Sequence, residues 1–125
     1  MRDVDSAVIE RLEEKLRAMA AEATARGPCS VTVERLRTGM PCQMDAAFQD
    51  AIEAASAELA DGKSLRMPSA AGHDAQVLAT IMPAGMLFVP SIGGISHHWT
   101  ENTADEDIVT GAQVFVETCR KLLMR

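Results

Sequence analysis

The chain has 125 residues, of which 47% are hydrophobic and 24% charged, the size and balance of one ordinary folded domain, which sets intrinsic disorder aside. Its net charge of -6 is wrong for a surface that must attract phosphates, so DNA and RNA are excluded as expected partners. No apolar run nears the roughly 20 residues that span a bilayer, and the acidic start lacks the basic end and apolar stretch of a signal peptide, so no membrane is expected and a cytoplasmic location follows by default.

In chain order, Val8, Leu12, Leu16, Met19 and Ala23 recur at helical spacing and predict an amphipathic helix entered near Asp5 or Ser6. Arg26, Gly27 and Pro28 stop it, with Gly27 expected to turn left-handed. Val31 and Val33 alternate with polar residues, which is strand periodicity, and Thr38-Gly39-Met40-Pro41 reads as a turn. A second helix fits 45–60, with Phe48, Ile52, Ala55 and Leu59 as its apolar stripe and Asp61-Gly62 as its end. A short helix is expected over 74–82. Met86, Leu87, Phe88 and Val89 then form a compact apolar run, suited to a buried strand and ended by Pro90.

The last helix carries the strongest signature. Thr103 and Glu106 are spaced as a capping box, and Ile108, Val109, Ala112, Phe115, Val116, Cys119 and Leu122 line one broad face. Alternating helices and strands predict an open α/β layer architecture. The eight methionines are expected as core filler, and the three cysteines, Cys29, Cys42 and Cys119, without C-x-x-C spacing, as reduced thiols rather than disulfides or a zinc site.

Two segments break the helix and strand pattern with small residues, 68–75 and 90–101, and between them they hold all three histidines. The second follows the apolar run directly, and loops that leave the C-terminal ends of strands are where ligands gather. Gly93 and Gly94 let that backbone fold tightly, and an imidazole there can ligate a metal or carry a proton. The plainer readings are a loop histidine bonded to backbone at His97, His98 and Trp99 packed over the loop, and a helix start at Gly72-His73-Asp74 with Asp74 favouring the dipole.

Together these segments resemble the hydantoinase/carbamoylase branch of the metallopeptidase-like amidohydrolases. The resemblance rests on Ser69-Ala70-Ala71-Gly72-His73-Asp74-Ala75 against the family's S-G-A-G-H-D-A, on Met86-Leu87-Phe88-Val89-Pro90-Ser91, and on Gly94-Ile95-Ser96-His97 with Glu101 four residues later. Arg2-Asp3 before the first helix is similar to the end of the family's D-x-R strand. Ala70 in place of glycine, and His98-Trp99 where a proline often stands, depart from the pattern.

The resemblance implies the C-terminal portion of a metal-dependent hydrolase of carbamoyl or ureido C–N bonds, of the N-carbamoyl amino acid or allantoate type. It implies a remnant of a lid or dimerisation domain over 1–42, and over 43–125 the C-terminal part of a catalytic α/β domain with helices on a mixed sheet. His97 matches the last ligand of a site for two zinc or manganese ions, which would stabilise a developing oxyanion. Gly72 and His73 match a substrate loop, and Arg2 an arginine that forks onto a substrate carboxylate. Asp74, Gly94, Ser96 and Glu101 are supporting loop residues. The other ligands and the general-base carboxylate have no counterpart here, so no catalytic residue is assigned and the chain is expected to be inactive alone, with weak or absent metal binding. Faces left bare by a partial sheet are expected to recruit a second copy, giving a homo-oligomer, most simply a dimer. The competing readings are a non-catalytic α/β remnant acting only through self-association or a partner, and a small carboxylate binder using Arg2, Gly72 and His73.

Overall fold

The computed structural model describes residues 3, 5–36 and 41–124. The elements are α1 (Ser6–Arg26), α2 (Ala46–Leu59), α3 (Asp74–Leu78), a 3-10 turn (Ile92–Gly94) and α4 (Asp105–Leu123). They fall into two compact units, one of Met1–Gln43 with Pro68–Gly72, the other of Met44–Met67 with His73–Arg125. Arg2 and the turn residues 38–40 lie outside the described residues. Among the described residues no helix is long and apolar enough to cross a membrane.

In the first unit the Asp5 carboxylate accepts from Ala7 N at 2.8 Å and caps α1, satisfying one of the donors that a helix start leaves open. The helix ends at Gly27, as expected, but by a different device: Gly27 has φ -116° and ψ 171°, which is extended, not left-handed. Pro28 is the cause, because its ring pushes the preceding residue out of helical space. Residues 31–36 then run beside α1. Thr24 Oγ1 accepts from Val31 N at 2.8 Å, Arg17 Nη1 donates to the Val33 carbonyl at 3.1 Å, and the guanidinium groups of Arg17 and Arg35 both meet the Glu13 carboxylate. The strand expected at Val31 and Val33 is therefore extended chain held by helix side chains. The apolar stripe expected on α1 is mostly open, with Leu12, Leu16 and Met19 exposed and Ala20 buried.

The second unit is built on the packing of α2 against α4. Asp45 caps α2 by accepting from Phe48 N at 3.0 Å. The buried residues are small: Ala51, Ala55 and Ser56 from α2, Val114 and Thr118 from α4. Small residues let the two backbones approach closely, and the Thr118 hydroxyl, buried in the contact, donates to the Val114 carbonyl at 2.7 Å and so needs no other partner. At the rim Lys121 Nζ donates to Glu58 Oε1 at 2.6 Å, bridging the helices.

Three expectations about this unit are corrected. Helix α4 is not opened by a capping box: its N-cap is Ala104, without a side-chain cap, and Thr103 stands one residue too early to reach the first turn. Asp105, Glu106 and Asp107 favour that end through the helix dipole instead. The short helix stops at Leu78, after which isolated turns carry the chain to Pro83. Moreover, no β-strand occurs among the described residues, so the expected mixed sheet is absent from them. The reason is that a strand exists only by pairing. Residues 86–89 make no backbone hydrogen bond among the described residues, and Phe88 and Val89, expected to be buried, are 52% and 40% exposed. Of the methionines, Met19, Met67, Met82 and Met124 are exposed and are not core filler, while Met44 and Met86 are half-buried.

Candidate functional site

The histidine loop is a closed device. Ile92 N donates to the Asn102 carbonyl at 2.8 Å, tying the ends of the segment 92–102 together. Inside it Gly94 N donates to the Ser91 carbonyl at 3.0 Å, and Gly93 and Gly94 both have φ 68°. Two successive left-handed residues are sterically cheap only for glycine, which explains that pair in the sequence.

His97 also lies in left-handed space, with φ 57°. A side chain there costs backbone energy, so the conformation must be held from outside the residue. Glu101 holds it: its Oε2 accepts from His97 N at 2.9 Å, while Glu101 N donates to the His98 carbonyl at 3.0 Å. His98 Nδ1 and Thr100 Oγ1 are 2.8 Å apart. The result is an exposed imidazole at the tip of a restrained loop, with the exposed Ser96 next to it in the chain. Trp99 does not pack over the loop as expected; it is 89% exposed.

His73 is held differently. It is the residue before α3, half-buried, with its ring centroid 5.4 Å from that of Phe88 at a 58° tilt. The structure thereby links the start of α3 to the segment that leads into the histidine loop. Asp74 sits in the first turn of α3, the dipole-favouring place read from the sequence. At Gly72 a Cβ would meet nothing within 4 Å, so packing does not demand glycine there. Of the expected site residues the structure brings His97 together with Glu101, while Arg2 lies outside the described residues.

The donor set decides what the loop can do about metal. Among the described residues no three His, Cys, Asp or Glu side chains converge as a metal-binding group. One imidazole is short of the three protein ligands that a catalytic zinc site typically needs, so the residues present do not complete a metal site.

A feature that the sequence reading missed lies in the same unit. A groove of about 730 Å³ runs over α2 and α4, bordered by residues 63–67 and 86–90. Arg66 fastens one border, donating to Asp50 at 2.6 Å and to Glu53 at 2.5 and 3.1 Å, and these carboxylates raise its pKa above the usual arginine value. Asp50 and Glu53, three apart on one helix face, were the available signal, but nothing local says that the chain returns to them at position 66.

The profile of peptidase family M20/M25/M40 matches residues 4–121. The chain belongs to this family. Within it the chain is 31% identical over 122 residues to an N-carbamoyl-L-amino acid amidohydrolase of Geobacillus stearothermophilus, a match covering 98% of this chain and 30% of that protein. It is 49% identical over 47 residues to an allantoate amidohydrolase of Escherichia coli strain K12, covering 38% of this chain and 11% of that protein. With an allantoate amidohydrolase of Bacillus subtilis strain 168 it shares 41% identity over 78 residues, 62% of this chain and 17% of that protein. The chain thus spans less than a third of the length of these M20 relatives. No solved structure matches it at a significant level.

Proposed function

We propose that this chain contributes the histidine-loop side of a hydrolase for carbamoyl or ureido C–N bonds, acting on an N-carbamoyl amino acid or on allantoate. Support comes from the family match over 4–121 and from relatives named for those two substrates. The single observation that carries the reading is His97, held at a loop tip in a costly backbone conformation by Glu101; strain of that kind is retained where the position of a side chain matters.

The roles follow residue by residue. His97 is the ligand this chain offers to a metal, zinc or manganese, that would supply Lewis-acid chemistry when the remaining donors are present. Glu101 and the Gly93-Gly94 pair fix where that imidazole points. His73 and Gly72 are substrate-loop residues, a role supported by their match to the family's S-G-A-G-H-D-A segment. Arg2 is the partner for a substrate carboxylate. Asp74 steadies the start of α3, and Ser96 is the loop residue directly before the ligand.

The chain alone is inactive in this reading, since one ligand and no general base cannot run the hydrolysis. The decisive experiment is a chimera in which this chain replaces the matching segment of the Geobacillus amidohydrolase. Hydrolysis of N-carbamoyl amino acids by the chimera, lost with His97→Ala, is the expected result. A folded chimera whose activity is indifferent to His97→Ala would overturn the assignment.

A further inference from the structure

The groove over α2 and α4 has two bare edges. It lies wholly within the second unit, with the buried Ser56 and Val114 among the residues that line it. Residues 64–67 and 86–89 border it, and among the described residues no backbone group of either run makes a hydrogen bond. Peptide groups left unpaired in a row are a template on which another chain can pair. Each run stops at a proline, Pro68 or Pro90, whose ring nitrogen has no hydrogen to donate. Leu65, Met67 and Phe88, on the two borders, are 79%, 64% and 52% exposed, so apolar surface accompanies the bare backbone.

We propose that this groove binds a peptide strand from another polypeptide, which lies between the two runs and pairs with both. A strand residue rises about 3.3 Å, keeps roughly 4.8 Å from each neighbour and fills a layer about 10 Å thick, which is on the order of 160 Å³. The 730 Å³ of the groove therefore holds roughly four to five strand residues. Each bare run is itself four residues long, so capacity and edge length agree. A compact small molecule would leave most of these peptide groups unpaired, whereas a strand serves both edges along their length.

Charge defines the chemistry of the occupant. Arg66 is already bonded to Asp50 and Glu53, and Asp61 and Lys63 offset each other in sign, but Glu106 and Asp107 line the groove with no ion pair among the described residues. The strand accordingly carries β-branched apolar residues at alternate positions and a basic residue at the end beside the first turn of α4. None of this depends on whether His97 ligates a metal.

The probe is an acetylated and amidated six-residue peptide of alternating valine and threonine, made in two versions with lysine first or last. Titrated calorimetrically into the 125-residue chain, at least one version should bind one to one and slow amide hydrogen exchange in both runs. Glutamate in place of the lysine should weaken binding about fivefold or more. Successive residues of a strand turn their N–H groups to opposite edges, so N-methylation of the odd or of the even amides should each weaken it at least about tenfold. Addition to one edge alone would suffer from only one of these sets. Glu106 is exposed, so Glu106→Lys should keep the helical circular dichroism and lose the preference for lysine. Absence of binding, protection of a single run, tolerance of either methylated set, or indifference to the exchange of lysine for glutamate overturns the proposal. So does a folded Glu106→Lys chain with the preference intact, a groove closed by a second copy that the peptide does not displace, or pairing only with the rest of an M20 domain.

Discussion

Gly111 on α4 and Val89 in the segment that leads to the histidine loop are in such close approach that a Cβ added to Gly111 would lie 2.4 Å from Val89 Cγ1. No carbon pair tolerates that separation, so Gly111 is the place where the segment 86–90 crosses the helix. Gly85 plays the same part at α2, where an added Cβ would stand 3.1 Å from Phe48 Cβ. Two glycines thus set the height of the segment over both helices, and with it the origin of the loop that carries His97.

Gly111→Ala should therefore destabilise the second unit by about 1–3 kcal/mol, the usual range for overpacking, although alanine is the better helix former. Val89→Ala makes room for the new methyl group. In a double-mutant cycle followed by urea denaturation, the pair should be less damaged than the sum of the singles. Strict additivity would show that the two residues do not meet.

Val114 is the largest buried apolar side chain between α2 and α4, and it is 2% exposed. Val114→Ala removes two methyl groups from a contact otherwise made by alanines and hydroxyls, so a loss of about 1–3 kcal/mol is expected in chemical denaturation. Phe115→Ala, next to it in sequence but 61% exposed, should cost much less in the monomer. The opposite ranking would mean that α4 packs on α2 through its other face.

At His97 the left-handed backbone makes glycine the less strained residue. His97→Gly should raise stability by up to about 1 kcal/mol while removing the proposed ligand, and His97→Ala should not stabilise at all. Glu101→Gln keeps an acceptor of similar shape and Glu101→Ala does not. Amide hydrogen exchange at His97 should consequently be severalfold faster in Glu101→Ala than in the original chain, with Glu101→Gln between them. Equal exchange in all three would remove Glu101 from its holding role.

The charged rim of α2 and α4 gives the second unit a pH window. The Arg120 guanidinium beside Glu117 holds that carboxyl below the usual carboxylate range, and Glu58, with Glu117, raises the Lys121 amine. A lowered carboxyl contributes stability above its unfolded pKa and loses it as pH falls through the folded value. A raised amine contributes below its unfolded pKa and loses it as pH rises through the folded value. The temperature of thermal unfolding should thus be highest between the acidic and strongly alkaline limits, by a small margin because the groups are exposed. Glu117→Gln should flatten the acidic limb and Lys121→Met the alkaline one. If neither variant changes its own limb, these pairs do not hold the helices.

The helices were legible because their signals are local. The start of α1 near Asp5, Pro28 as a stop, and the apolar recurrence of α2 and α4 act through neighbours in the chain, and the helix hydrogen bonds that they favour need nothing from elsewhere. The motif residues around Gly72, His73 and His97 were legible for the same reason, and they led to the correct family.

What remained hidden depends on contacts between distant residues. The apolar pattern of α4 predicted one broad buried face, yet the helix buries the line through Val114 and Thr118 because small side chains allow the closest approach to Ala51 and Ala55. Extended conformation was predicted at residues 31–34 and 86–89, and only the fold decided that these segments are held by helices and not by neighbouring strands, since a ladder requires a second backbone that composition cannot supply. The sequence by itself determined that helices occupy these stretches and to which family the chain belongs. Tertiary structure alone decided which faces meet, because burial is a property of pairs of surfaces and not of a residue.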